Sequence, residues 1–143
     1  MLIPVVLIEV NELNLLKAVY SRIIITPEIA KEFNQQIPDW IEIIEAKDKK
    51  SQLLLEDSLD LGESTALTLA FEIDNTTVIL DDLKARKIAN KLGIKVTGTI
   101  GVIVKAKLQG SISSAKNILD KISNTDFRIN AKIIEQAIKE AGE

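Results

Sequence analysis

The chain has 143 residues and a net charge of −3, and 46% of it is hydrophobic and 27% charged. This composition is typical of a soluble globular protein, and the length predicts a single domain over residues 1–143. The chain has no cysteine and no histidine. Disulfides, thiolate or imidazole metal sites, and Ser-His-Asp or Cys-His catalysis are therefore excluded. Any metal must be held by oxygen, which favours Mg²⁺ or Mn²⁺.

The apolar start "MLIPVVLIEV" has no basic n-region and no small-residue cleavage site, and it is too short to span a bilayer. We therefore expect a cytoplasmic protein without a membrane partner. The negative net charge argues against a strongly basic coat for nucleic acid, although a local basic patch is compatible with it.

Short β-branched or apolar runs alternate with helical patterns along most of the chain. Thr26 and Pro27 are typical of an N-cap and a first helical position. The predicted strands are 22–26, 40–46, 77–80 and 94–98. The predicted helices are 11–20, 27–36, 49–59, 62–73, 82–93, 99–109, 113–123 and 130–142. The order predicts an α/β fold with a parallel sheet, helices on both faces and a helical C-terminus.

Three acids lie at positions where such a fold usually has its functional residues. Asp82 follows the strand "TVIL", at the carboxyl end where sites collect in parallel sheets. Glu63 shares a helix face with apolar residues, and Glu32 borders the buried stripe of its helix. A carboxylate on an apolar face is costly unless it is paired, hydrogen-bonded or bound to a cation.

Each acid also has a purely structural interpretation. Asp82 is a favoured residue type for the N-cap of the next helix, and Glu63 suits the positive end of a helix dipole. Glu32 lies four residues from Glu28, which is usual for a solvated face, and Asp81 is typical of a surface acid. Both interpretations stay open on the residues alone.

The pattern as a whole resembles a PIN domain of the VapC-like group of short prokaryotic proteins. The resemblance depends most on "LDLGESTALTLAFE" and "VILDDLKARKIANKLGIKVTGTIGVIVKAKLQG". It implies a three-layer α/β/α fold in which acids hold Mg²⁺ or Mn²⁺ for RNA phosphodiester cleavage. The implied catalytic and metal-binding residues are Glu32, Glu63 and Asp82, with Asp81 as a further metal ligand. The resemblance also implies a small antitoxin partner and a homodimer.

Basic residues follow these acids in the sequence. Lys84, Arg86, Lys87 and Lys91 lie on one predicted helix, and Lys95, Lys105 and Lys107 come soon after. They are candidate contacts for RNA phosphates, or else a solvated helix face. Thr99 is a further candidate for contact with RNA or for a hydrogen bond to a metal-bound water. Alternatively, it is the N-cap of the helix that follows it.

The start of the chain departs from the family pattern. PIN domains open with a central strand ending in an Asp, often within "DTSP", and that Asp is the first metal ligand. If Pro4 matches this proline, the strand and its Asp are missing from this sequence. Either the start is shortened, or residues 1–10 are repurposed. We favour a helix over 4–10, which leaves a gap in the sheet; the alternative is a strand that brings Glu9 to the site.

Three hypotheses for function follow. The first is a VapC-type ribonuclease, impaired by the loss of the first Asp. The second is a catalytically inactive PIN-like module that binds RNA or a protein. The third is a regulatory α/β domain whose acids only cap helices.

Overall fold

The computed structural model describes residues 12–33, 36–125 and 129–143. Within these ranges the elements follow one another in a mixed α/β order. They are α1 (Asn14–Val19), β1 (Ile23–Ile25), α2 (Pro27–Glu32), β2 (Ile41–Ile43), α3 (Lys49–Glu56), α4 (Leu61–Glu72), β3 (Thr77–Ile79), α5 (Leu83–Lys91), β4 (Lys95–Thr97), α6 (Thr99–Leu108), α7 (Ala115–Ser123) and α8 (Ala131–Glu140). The described residues divide into two compact units, Arg22–Thr97 and residues 12–21 with Gly98–Glu143.

The four strands of the first unit pair in parallel, as predicted. β1 pairs with β2, and Ile23 lies opposite Ile41. β3 pairs with β4, and Val78 lies opposite Val96. Among the described residues the strands form two separate pairs, β1–β2 and β3–β4; the predicted gap in the sheet depends on the start of the chain and stays a prediction. Residues 1–11 lie outside the described ranges, so the predictions for 4–10 and Glu9 stay predictions.

Helix α2 begins where the sequence predicted and ends earlier. The Thr26 hydroxyl accepts a hydrogen bond from the Ile29 N–H at 3.3 Å, and Pro27 occupies the first turn. This is the N-cap arrangement that satisfies a free helical N–H. The helix ends at Glu32, because Phe33 is extended. The predicted end near Gln36 is therefore wrong; no glycine or proline marks the true end in the sequence.

Helix α4 is buried along most of its length, including its hydroxyl side chains. Thr65 donates to the Gly62 carbonyl at 2.9 Å, and Thr68 donates to the Ser64 carbonyl at 2.8 Å. These bonds satisfy polar groups that would otherwise be costly in the core. Leu67 and Leu69 are almost completely buried on the same helix, and a fully buried Leu contributes about 1.5–3 kcal/mol.

The second unit is helical, as predicted for the C-terminus. Its core contains Leu16, Ile103, Leu119 and Ile122, which are fully buried. The prediction that Thr99 is an N-cap is wrong, because Gly98 holds that position and Thr99 is the first helical residue. No helix among the described residues is long and apolar enough to cross a membrane.

Candidate active site

The predicted site acids of the first unit come from segments far apart in the sequence. Glu32 is the last residue of α2, which follows β1. Glu63 lies in the first turn of α4. Asp82 comes after β3 and the buried Leu80, whose N–H donates to the Thr97 carbonyl at 2.8 Å. Strands and their pairing therefore fix the backbone that leads to Glu32 and Asp82.

Asp82 is the N-cap of α5. One of its carboxylate oxygens, Oδ2, accepts a hydrogen bond from the Ala85 N–H at 2.9 Å. The structural interpretation of Asp82 is thus confirmed. The bond uses one carboxylate oxygen and fixes the direction of the side chain at the positive end of a helix.

Glu63 and Asp60 form a reciprocal capping box at the start of α4. The Glu63 N–H donates to Asp60 Oδ1 at 2.8 Å, and the Asp60 N–H donates to Glu63 Oε1 at 3.3 Å. Two helical N–H groups that lack backbone partners are satisfied in this way. The half-buried Glu63 side chain is therefore held back toward the N-terminus of its helix.

Negative charge accumulates around Glu63. Burial is the main cause of its raised pKa, and the charges of Asp60 and Asp82 raise it further. The hydrogen bond from the Asp60 backbone acts in the opposite direction. A neighbouring carboxylate disfavours the ionised form of a carboxyl group, so the charge of Asp82, on the next helix, adds to the effect of burial on Glu63.

Glu32 interacts with the same group of acids. Burial raises its pKa, and the charge of Asp60 adds to this effect. A Cβ atom built on Gly62 would lie 3.2 Å from Glu32 Oε1 and 3.6 Å from Asp60 Oδ1. The missing side chain of Gly62 thus leaves a small space bordered by two carboxylate oxygens and by Ile29, whose Cγ1 atom would lie 3.5 Å from that Cβ. We call Glu32, Asp60, Glu63 and Asp82 the carboxylate cluster.

A buried chain of hydrogen bonds connects the helices that carry Glu32 and Glu63. The hydroxyls of Thr26 and Thr65 lie 2.8 Å apart. The Thr65 hydroxyl donates to the Gly62 carbonyl, so its single proton is used and Thr26 must be the donor between the two. Thr26 in turn accepts from the Ile29 N–H. The chain joins the first turn of α2 to the first turn of α4.

A family model described as a PIN domain matches residues 4–143. The chain belongs to the PIN domain family. No curated protein and no solved structure gave a significant match. Nuclease-type function is what PIN domains have in general, with binding of nucleic acid and use of divalent metal ions.

The donor set of this PIN domain suits a hard divalent cation. The carboxylate cluster supplies only oxygen ligands, the type preferred by Mg²⁺ and Mn²⁺, and the space beside Gly62 lies between two of them. Within the described ranges, no three acidic side chains are already grouped closely enough to hold a metal ion. A cation held by three of these acids would therefore require some of their side chains to rotate.

Sequence reasoning missed Asp60 in this PIN domain. It lies three residues before Glu63, the spacing of a capping box, and that spacing was the available signal. Asp81 is exposed beside Asp82, and its role as a ligand stays a prediction. Thr99 is fully buried and belongs to the second unit.

Exposed lysines follow the carboxylate cluster along α5. Lys84, Lys87 and Lys91 are exposed, and none pairs with a carboxylate of a described residue. At 100° per residue they fall within about 60° of one another around the helix. Arg86 is half-buried and lies on another side of α5. We call the three lysines the lysine stripe.

Proposed function

We propose that this PIN domain is a cytoplasmic, metal-dependent endoribonuclease of the VapC toxin type. Glu32, Glu63 and Asp82 would hold Mg²⁺ or Mn²⁺, with Asp81 as a further ligand. The observation that supports this best is the match of residues 4–143 to a PIN domain model. Burial and the charges of Asp60 and Asp82 raise the pKa of Glu63, and a bound divalent cation would favour its ionised form.

The residues of this chain have three tasks in the proposed reaction. Glu32, Glu63 and Asp82 would hold the divalent cation, which would supply activation of water and neutralisation of the charge that develops on the phosphate. Asp82 and Glu63 are held at helix N-termini by their capping bonds, which limits the directions in which their free oxygens point. The hydrogen-bond chain from Thr26 to Gly62 holds α2 against α4 and so keeps Glu32 beside Gly62.

The lysine stripe is the surface that we propose for RNA phosphates. Its residues begin two positions after Asp82 and span about 10 Å of α5, at 1.5 Å per residue. Lysines without carboxylate partners are available to replace counterions on a phosphate backbone. Arg86 is a weaker candidate because it is half-buried, and we do not extend the proposal to the buried Thr99.

A second candidate is a catalytically inactive module that binds RNA or a protein. The capping bonds favour this second candidate, because Asp82 and the Asp60–Glu63 pair already stabilise the N-termini of their helices. An antitoxin partner and a homodimer belong to the VapC-type proposal and would have to be sought by co-purification and by light scattering.

A cleavage assay on single-stranded RNA separates the two candidates. We expect cleavage in Mn²⁺ or Mg²⁺ that EDTA stops and that Glu63→Gln or Asp82→Asn abolishes. Asp48→Asn is the matched control, because Asp48 also caps a helix in the same unit but lies outside the cluster. RNA binding without cleavage by the wild type would favour the inactive module. The absence of both binding and cleavage would contradict both candidates.

The salt dependence of RNA binding tests the lysine stripe. The logarithm of the binding constant falls with the logarithm of salt by about 0.7 per neutralised phosphate of a single strand. Replacing Lys84, Lys87 and Lys91 by Gln should therefore reduce the slope by about 2. The matched control replaces three exposed lysines of the second unit, Lys116, Lys132 and Lys139. An equal effect in both triple variants would contradict the assignment.

A further inference from the structure

Helix α3 exposes two leucines while it buries a glutamine. Leu53 and Leu54 are 67% and 78% exposed, and Leu54 has the largest exposed fraction of the large hydrophobic side chains among the described residues. Gln52 is only 9% exposed, and its Oε1 is buried without a hydrogen-bond partner in the described part of the chain. A buried polar group without a partner costs free energy, and apolar surface that stays exposed contributes no hydrophobic stabilisation. Packing within the first unit therefore does not explain why the leucines of α3 face outward.

Two opposite charges flank these leucines on the same side of the helix. At 100° per residue, Lys50, Leu53, Leu54 and Asp57 fall within about 100° of one another, and all four are exposed. Asp57 is the C-cap of α3 and keeps helical backbone angles. Neither charge forms an ion pair with a described residue, whereas Lys49 on the same helix does. We call Lys50, Leu53, Leu54 and Asp57 the α3 face.

The α3 face is symmetric about its own midpoint. Lys50 and Asp57 lie equally far from the point between Leu53 and Leu54, about 5 Å to either side at 1.5 Å per residue. When a second α3 packs antiparallel with the two midpoints together, Lys50 of each copy meets Asp57 of the other, and each Leu53 meets a Leu54. A parallel arrangement would bring like charges together instead. The α3 face is thus complementary to itself in one orientation, which is the property of a two-fold interface.

We propose that two copies of this chain associate through the α3 face, in an antiparallel two-fold pair. Helix α3 has 8 residues and is about 12 Å long, so the contact is small, and small interfaces give weak, transient complexes. We expect a dimer that exchanges with the monomer, rather than a permanent one. The pairing is separate from the proposed RNA cleavage, because it needs neither RNA nor a cation.

Charge reversal in the full chain tests this pairing. Lys50→Asp and Asp57→Lys each bring like charges together in the antiparallel pair, so either variant alone should dissociate. Both changes suit the helix dipole, since an acid comes to the first turn and a base to the last residue, and α3 should therefore stay folded. In a mixture of the two single variants each charge again meets an opposite one. We expect that mixture, and also the double variant, to associate as the wild type does.

Sedimentation equilibrium from micromolar to millimolar protein, at low salt and without RNA or metal, measures the Kd of the dimer. Either charge reversal should raise this Kd by about 10-fold or more, because like charges face each other across the interface. Leu53→Ser should also weaken the dimer, by removing apolar surface from its centre. Leu108→Ser is the matched control, because Leu108 is 66% exposed on a helix of the second unit, and it should leave Kd unchanged. Thermal unfolding at low protein concentration should be the same for all variants, since every replaced side chain is exposed.

Three results would overturn the proposal. A wild type that stays monomeric at millimolar concentration would mean that the α3 face does not bind itself and is left for a different protein. A dimer that the charge reversals and Leu53→Ser leave unchanged would place the interface elsewhere on the chain. Failure of the mixed single variants to associate, while the wild type does, would contradict the antiparallel pairing. Cleavage of RNA is measured separately, so the proposed nuclease activity can fail or stand independently of these results.

Discussion

The hydrogen-bond chain between α2 and α4 leads to a quantitative prediction for Thr26→Val. Valine keeps the shape of threonine but loses the hydroxyl, so both bonds of Thr26 disappear. Loss of an N-cap costs about 1 kcal/mol, and loss of one buried hydrogen bond costs about 1 kcal/mol more. We therefore expect the free energy of unfolding to fall by about 2 kcal/mol, measured by urea denaturation.

A double-mutant cycle with Thr65→Val tests the bond between the two hydroxyls. Removing both partners of a buried hydrogen bond costs less than the sum of the single changes, because no polar group is left unsatisfied. We expect a coupling energy of about 1 kcal/mol between the two sites. A coupling energy below about 0.3 kcal/mol is what independent sites show, and it would refute the hydrogen bond between Thr26 and Thr65. The same would follow if Thr26→Val were as stable as the wild type.

Three further predictions concern the caps and the space beside Gly62. Gly62→Ala should keep or raise the melting temperature, because Ala favours helix by about 1 kcal/mol relative to Gly. The same substitution should weaken Mn²⁺ binding, because the added methyl group displaces the Glu32 carboxylate. Unchanged Mn²⁺ affinity would contradict the role of the space beside Gly62. Asp82→Ala should lose about 1 kcal/mol of stability in urea denaturation while Asp82→Asn loses little, and equal losses would count against the cap. Hydrogen bonds from the Ser114 hydroxyl and the Ala115 N–H lower the pKa of Glu143. The stabilisation from the ionised Glu143 is therefore present at pH 7. It is lost as the pH falls from about 4.3, the ordinary pKa of Glu, through the lowered pKa of the folded state. Thermal melts of wild type and Glu143→Ala should therefore differ at pH 7 and converge at low pH, and a constant difference would be inconsistent with this.

The fold could be predicted from the sequence where local signals were strong. Thr26 and Pro27 predicted the start of α2, and the β-branched run before them predicted β1. The end of α2 at Glu32 was missed because nothing in the sequence interrupts the helical pattern there. The parallel pairing of the strands was predicted, but the two separate pairs among the described residues were not, since pairing among strands of three residues depends on tertiary packing.

Glu32, Glu63 and Asp82 were selected from the sequence, and their role as metal ligands stays a prediction, whereas the contacts around them were missed. Glu63 was recognised from its helix face, but Gly62 was taken as the helix boundary. In the structure α4 begins one residue before Gly62. Because Gly62 has no side chain, there is room for the Glu32 carboxylate beside it. Asp60 was overlooked as a result, because its capping role appears only when the helix starts at Leu61. Contacts between distant segments, such as Thr26 with Thr65, have no local sequence signal.

The proposed function requires Glu32, Glu63 and Asp82 to hold a divalent cation. The most direct measurement is an anomalous difference map from crystals of the full chain soaked in Mn²⁺. We expect a Mn²⁺ peak within about 2.5 Å of carboxylate oxygens from Glu32, Glu63 and Asp82, and its loss in crystals of Glu63→Gln. A peak elsewhere on the chain, or none at saturating Mn²⁺, would contradict it.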